Sequence, residues 1–223
     1  LALWLKSLDA EVFGVSKSIP TNPSHYHVLT LSKIIKSRFV DIKNFVKLKK
    51  TIMNFKPDYI FHLAAQSLVK KSYIETLNTW NSNLIGTVNL LEVLKNYNKK
   101  KVNVVMITSD KSYKNLEIKR GYKEEDLLGG IDPYGASKSS AELAIKSYIK
   151  SFFSTKKCNV SIAVARAGNV IGGGDWSEDR LVPDCVRSWS KKKKVLIRKP
   201  NSTRPWQHVL EAINGYLTLA FKL

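Results

Sequence analysis

Short apolar runs rich in β-branched residues alternate along this chain with longer stretches of helical periodicity, and that alternation narrows the possible folds more than any other feature. Residues 59–63 and 102–107 are too short for helices and lack the polar alternation of a half-exposed strand, so they predict buried-type strands, and residues 160–165 complete the series. Shorter strands are predicted around residues 11–15 and 39–42. Between these runs, residues 1–8, 45–55, 83–97 and 134–153 read as helices. In 83–97, Leu84, Val88, Leu91 and Leu94 form one apolar stripe, and the 45–55 helix must stop ahead of Pro57. Strands alternating with helices predict an α/β fold, a doubly wound parallel sheet of Rossmann-like type, whose ligands bind beyond the carboxyl ends of the strands.

Composition excludes several alternatives. The chain is 43% hydrophobic and 25% charged over 223 residues, which suits a folded domain with a sizeable core rather than disorder. No run approaches the ~18 apolar residues of a membrane span, and residues 1–5 lack the features of a signal peptide. Cys158 and Cys185 form no framework, two incidental thiols that suit a reducing cytoplasm, and the four histidines have no partners at metal-ligand spacing. The formal net charge of +19 raises the question of nucleic acid. However, 30 of the 37 basic residues are lysine, scattered or in short runs (99–101 and 191–194) without interleaved aromatic residues. That pattern describes solvated faces, not a nucleic-acid surface.

Two constellations carry chemistry. Tyr134 and Lys138 stand four apart on a predicted helix, so they share a face, and an ammonium beside a phenol favours phenolate, a usable base. The spacing alone says little: nine tyrosines and 30 lysines in 223 residues produce about 1.2 such pairs by chance, and Tyr97–Lys101 is a second. Context distinguishes Tyr134, which follows Asp132-Pro133 at a helix start. The second constellation, Thr108-Ser109-Asp110-Lys111, brings a hydroxyl, a carboxylate and an amine to the end of the 102–107 strand. Alone it reads as a polar turn; beside the Tyr/Lys helix it reads as the edge of a site.

At these residues the chain resembles the short-chain dehydrogenase/reductase group, and within it the sugar-nucleotide 4,6-dehydratases, which add an acid/base pair after the hydroxyl of a Ser/Thr–Tyr–Lys triad. The Asp110-Lys111 version of that pair resembles the CDP-glucose 4,6-dehydratases. Further matches are Phe61-His-Leu-Ala-Ala-Gln66, Gly86-Thr-Val-Asn-Leu-Leu-Glu92, Ala165-Arg-Ala-Gly-Asn-Val-Ile-Gly-Gly-Gly-Asp-Trp176, Asp179-Arg-Leu-Val-Pro-Asp184 and Arg204-Pro-Trp-Gln-His-Val209.

The resemblance implies a lyase that converts CDP-glucose to CDP-4-keto-6-deoxyglucose on a tightly held NAD. Tyr134 would be the base at the sugar 4-hydroxyl, Ser109 its hydrogen-bonding partner and Lys138 the tuner of Tyr134. Lys111 would be the base at C5, and Asp110 the acid for the departing 6-hydroxyl. Leu63, Ala64 and Ala65 would border the dinucleotide, Asp41 and Ile42 its adenine side, and Asn169, Arg180 and Arg204 the substrate diphosphate, where arginine's forked donors fit. Residues 1–170 would be the NAD-binding domain and 171–223, with a returning helix, the start of the substrate region. The first strand and glycine turn would lie upstream of Leu1, so the chain made alone would be inactive and bind NAD weakly. The family implies a homodimer through the helices of 83–97 and 134–153.

Some residues depart from the pattern. Ser16-Lys17 stands where an acid would hold an NAD ribose, which read alone favours NADP. Ser67, Lys70, Ser112 and Gly135 stand where the family usually has Pro, Arg, Cys and Ser. Two other readings stay open: a related dehydratase or 4-epimerase acting on a dTDP-, GDP- or UDP-sugar, and a non-catalytic binding module resting on the lysine charge.

Overall fold

The structure is a computed structural model that describes residues 1–97, 101–155 and 158–223; Lys99 and Lys100 of the first basic run lie outside the described residues. Among these the strands are β1 (Phe13–Ser16), β2 (Lys36–Phe39), β3 (Tyr59–His62), β4 (Val102–Ile107), β5 (Val160–Ala165), β6 (Asn169–Ile171) and β7 (Trp206–His208). Every pairing is parallel: β1 with β2, β3–β4–β5 in that order, and β6 with β7. Helices connect them, so the predicted α/β class holds.

The chain folds as two units. One comprises Leu1–Phe39 and Gly168–Ile213, the other Val40–Ala167 and Asn214–Leu223. In the second unit, Val102 to Met106 are buried without a break along β4, as a strand covered on both faces requires. Leu91, Val93 and Leu94 of helix Gly86–Lys95 are sealed from solvent with them, each contributing roughly 1.5–3 kcal/mol of apolar burial. The end of helix Val209–Lys222 lies against this sheet: Asn103 donates to Ala220 O at 3.1 Å, and the Tyr59 and Phe221 rings meet edge-on.

Local sequence explains most boundaries. Helix Phe45–Phe55 starts where the Asn44 side chain accepts the Lys47 N–H, and ends at Lys56, a left-handed residue just before Pro57. Helix Pro133–Tyr148 has Asp132 as its cap, accepting from Gly135 N at 2.9 Å, and Pro at its first position. Both long predicted helices contain a π-helical turn, Asn81–Ile85 ahead of Gly86–Lys95 and Ile149–Phe153 after Tyr148. The strand expected at 39–42 lies three residues earlier, at Lys36–Phe39. Its register against β1 sets its length (Phe13 opposite Lys36, Ser16 opposite Phe39), and all four residues are exposed, so no apolar pattern marks it.

In the first unit, β1 does end at Ser16, whose hydroxyl donates to Ser18 O at 2.8 Å. No helix among the described residues is long and apolar enough to cross a membrane. Nor do three or more of their His, Cys, Asp and Glu side chains gather as metal ligands.

Candidate active site

The register of the second unit sets His62 opposite Met106 and Ile107 opposite Ala165. The residues that follow each strand, Leu63–Ala65, Thr108–Lys111 and Arg166, therefore leave from one carboxyl-end edge.

After β4, Ser109 caps a single 3-10 turn, Asp110–Ser112, its Oγ accepting the Lys111 N–H at 3.2 Å and donating to Asp110 Oδ1 at 3.0 Å. Asp110 N donates to Ala167 O at 3.0 Å, tying the turn to the segment after β5. Ser109 is buried; Asp110 and Lys111 are half-buried. Helix Pro133–Tyr148 lies directly on this turn. A Cβ on Gly135 would stand 2.9 Å from Lys111 O and 3.1 Å from Gly130 Cα, so a side chain there would push the helix off the turn. Ser139 Oγ donates to Ser112 O at 2.8 Å and accepts from Gly130 N at 3.0 Å.

Tyr134 and Lys138 on that helix are both buried. Lys138 Nζ reaches Ile107 O at 3.4 Å, which places the ammonium at the end of β4. Burial pulls the Lys138 ammonium down to about 8, with Glu142 opposing the shift. His62, at the end of β3, is pushed down to about 3 by burial and by the charge of Lys138, so it is neutral. Its Nε2 lies 3.1 Å from Thr87 Oγ1, and the Thr87 proton goes to Asn83 O at 2.7 Å. The imidazole must therefore carry its proton on Nε2 and donate it to Thr87.

The cofactor-side candidates are held as firmly. Asn83 pins the loop after Leu63–Ala65: it accepts from Gln66 N at 2.8 Å, and its amide lies 3.1 Å from Gln66 O and 2.9 Å from Ser137 Oγ on the Tyr134 helix. Asp41 and Ile42 form a turn in which Asp41 Oδ1 accepts from Lys43 N at 3.0 Å, and Asn89 donates to Ile42 O at 2.9 Å. Gly86 permits this contact, since a Cβ there would meet Ile42 Cδ1 at 2.4 Å. Ala64 and Ala65 after β3 are half-buried with small side chains, and small residues at a strand's carboxyl end are the kind that let a dinucleotide come close.

The structure thus brings Ser109, Asp110, Lys111, Tyr134, Lys138, Leu63, Ala64, Ala65, Asp41 and Ile42 into one unit. Asn169, Arg180 and Arg204 belong to the other. Asn169 opens β6, its N–H donating to Pro205 O at 3.1 Å. Arg180 lies 3.6 Å from Asp175, and the exposed Arg204 donates to Thr203 O at 2.7 Å. Sequence reasoning assigned no role to Asn83, His62, Glu142 or Arg166. The available signals were Glu142 standing one helical turn beyond Lys138, and His62 and Arg166 lying inside matched motifs.

A parallel α/β fold with a Tyr/Lys helix laid against a Ser-Asp-Lys turn defines a Rossmann-like short-chain dehydrogenase/reductase. The GDP-mannose 4,6-dehydratase family profile matches residues 2–221, and the chain belongs to that family. It is 46% identical to the CDP-glucose 4,6-dehydratase of Salmonella typhimurium, over all of this chain and 63% of that protein. It is 28% identical to the dTDP-D-glucose 4,6-dehydratase of Dictyostelium discoideum over 72% of this chain and 38% of that one. The chain thus spans less than two thirds of the length of these relatives. Among solved structures, a Thermotoga maritima UDP-glucose 4-epimerase with UDP-glucose aligns over 96% of this chain and 66% of its own (TM-score 0.82, 21% identity). The Bacillus anthracis dTDP-glucose 4,6-dehydratase in complex with NAD aligns over 99% and 66% (TM-score 0.79, 25% identity).

Proposed function

We propose that this chain is the catalytic part of an NAD-dependent CDP-glucose 4,6-dehydratase, a lyase that forms CDP-4-keto-6-deoxyglucose. One observation carries the reading: the Ser109-Asp110-Lys111 turn lies in packing contact with the Tyr134/Lys138 helix, in a chain 46% identical to an enzyme of that name. A plain epimerase has no need of an acid/base pair for loss of water.

NAD, when bound, accepts and returns a hydride, so the reaction has no net redox. Leu63, Ala64 and Ala65 border it and Asp41 and Ile42 take its adenine side. Tyr134, as phenolate, removes the 4-hydroxyl proton of the sugar, and Ser109 donates a hydrogen bond to the same oxygen. The Lys138 ammonium favours that phenolate. Once C4 is a ketone, Lys111 takes the acidified C5 proton and Asp110 protonates the 6-hydroxyl, which departs as water; Lys111 gives the proton back to C5 as the hydride returns to C6. Asn169, Arg180 and Arg204 hold the diphosphate, with residues 1–170 as the nucleotide-binding part and 171–223 opening the substrate region. The protein works in the cytoplasm as a homodimer. Exposed Ile85 and Leu143, on the two helical segments expected to pair, support the dimer.

The test is to give the full-length protein CDP-, dTDP-, GDP- and UDP-sugars and follow loss of one water by mass. CDP-glucose should react fastest by at least about tenfold, the value of one well-placed discriminating contact. Faster turnover of another nucleotide, or C4 inversion without water loss, overturns the assignment.

A further inference from the structure

Behind the Tyr134/Lys138 helix lies a charged cluster that the steps above do not use. Glu142 is completely buried, one helical turn beyond Lys138. Its carboxylate accepts from Thr108 Oγ1 at 2.7 Å and from Arg166 Nε at 2.9 Å and Nη2 at 2.5 Å. Arg166 follows β5 directly, its guanidinium lying 4.4 Å from the Tyr113 ring centroid and donating to Glu124 O at 3.2 Å. One carboxylate thus joins the end of β4, the end of β5 and the catalytic helix, and Thr108 is the residue before Ser109.

We propose that Glu142 is a positioning residue that acts through Lys138 and Thr108: it holds the Ser109 turn in register with the Tyr134 helix and offers the Lys138 ammonium a carboxylate one helical turn away. The inference rests on the dehydratase reading only for the roles of Lys138 and of Ser109, the residue after Thr108. Tyr134 and Glu142 flank Lys138 on its own helix, and the elements packed on that helix carry Asp110 and Lys111 after β4, Lys70 and Lys71 on helix Val69–Ile74, and Glu92 and Lys95 on helix Gly86–Lys95, with His62 at the end of β3 and Arg166 bound to Glu142. His62 is neutral, so it adds no repulsion, and Glu142 is the group that opposes the burial of Lys138.

Lysine Cε carbon-13 titration of the full-length protein tests this without reference to turnover, with Lys138 assigned by the signal lost in Lys138→Met. Glu142→Gln removes the carboxylate and leaves Arg166 unneutralised, so the acid dissociation constant of Lys138 should rise by about tenfold or more. Arg166→Gln leaves the carboxylate unneutralised, and the Lys138 midpoint should move to higher pH. Structural damage does not produce shifts of opposite sign from two halves of one pair. Thr108→Val, which changes no charge, should leave the midpoint in place while lowering kcat about tenfold, with KM within about twofold. A parental midpoint in Glu142→Gln, or in Arg166→Gln should the first variant not fold, overturns the proposal. Parental kcat in Thr108→Val overturns its positioning half. If the parent protein shows no dehydratase activity, the functional assignment fails while the titration still decides the inference.

Discussion

Strands β4 and β2 are both parallel, but β4 is buried at every residue except the half-buried Ile107, whereas β2, Lys-Ser-Arg-Phe, is exposed at all four. The contrast extends to the units that hold them. Around β4, Leu91, Val93, Val102, Val104 and Val105 are sealed from solvent; among the described residues of the other unit, only Ser24, Ala212 and Ile213 are buried. Of the proposed proton-transfer residues, Ser109, Tyr134 and Lys138 are buried in the first kind of environment and Asp110 and Lys111 are half-buried at its edge, whereas the proposed diphosphate ligands Asn169, Arg180 and Arg204 belong to the second. Groups whose charge must be tuned need a dry, rigid surround, while groups that grip a hydrated diphosphate need reach and donors more than burial.

The largest expected effect lies at the buried site. In the full-length protein, Tyr134→Phe should lower kcat by about 10²–10⁴-fold, the usual worth of a positioned acid/base, with KM little changed, because the lost interaction is made in the transition state. Arg204→Lys should instead raise KM for the nucleotide sugar with kcat nearly parental, since it removes forked donors that bind ground and transition states alike. Steady-state kinetics of the two variants would break the comparison if they gave the same split.

Stability should divide the same way. Leu91→Ala removes a fully buried side chain and should cost about 2–5 kcal/mol in urea unfolding. Phe39→Ala, at a side chain 59% exposed on β2, should stay within about 0.5 kcal/mol. Equal costs would mean that the exposed strand pair is held by more than its surroundings show.

The same contrast explains what the sequence made legible. The strands at Val102–Ile107 and Val160–Ala165 and the helix at Phe45–Phe55 were predicted to the residue, because a short run rich in apolar β-branched residues, or a capped amphipathic pattern, leaves a signature in the residues themselves. Strand β2 left none. The apolar Val40 and Ile42, which drew the expectation to 39–42, do other work: Val40 is buried past the strand's end, and Ile42 packs on Gly86. At the site, Ser109, Asp110, Lys111, Tyr134 and Lys138 were readable because local spacing and family motifs mark them. Glu142 to Arg166 and Asn83 to Ser137 are pairs that only the folded sheet edge brings together.

Acid should find the buried titratable groups next. His62 has a folded-state value depressed from the ordinary 6.5 to about 3, so the unfolded chain binds its proton first. Its contribution to stability is present above pH 6.5 and is lost as the pH falls toward 3. In His62→Gln, which keeps a donor for Thr87, urea midpoints should fall less steeply than the parent's between pH 6.5 and 5, above the range where most carboxylates titrate. Parallel slopes would show that His62 is not held neutral.

A small gain in stability is predicted where the chain departs from its family within the well-packed unit. Ser112 stands where the resemblance leads one to expect Cys; it is fully buried, and its Oγ has no hydrogen-bond partner among the described residues. Its backbone is satisfied, its carbonyl accepting from Gly129 N at 2.9 Å and from Ser139 Oγ at 2.8 Å, so the cost lies in the hydroxyl alone. A buried hydroxyl without a partner costs about 1–3 kcal/mol, whereas a thiol of similar shape behaves as a small hydrophobe. Ser112→Cys should therefore raise the unfolding free energy by about 1 kcal/mol, and Ser112→Ala by somewhat less, because it leaves a small void. Neither should change kcat, since Ser109, Asp110 and Lys111 are held through Ala167, Ser109 itself and the Gly135 contact, not through the Ser112 side chain. A loss of stability in both variants would mean that the Ser112 hydroxyl is bonded after all, most simply to a water enclosed beneath the turn.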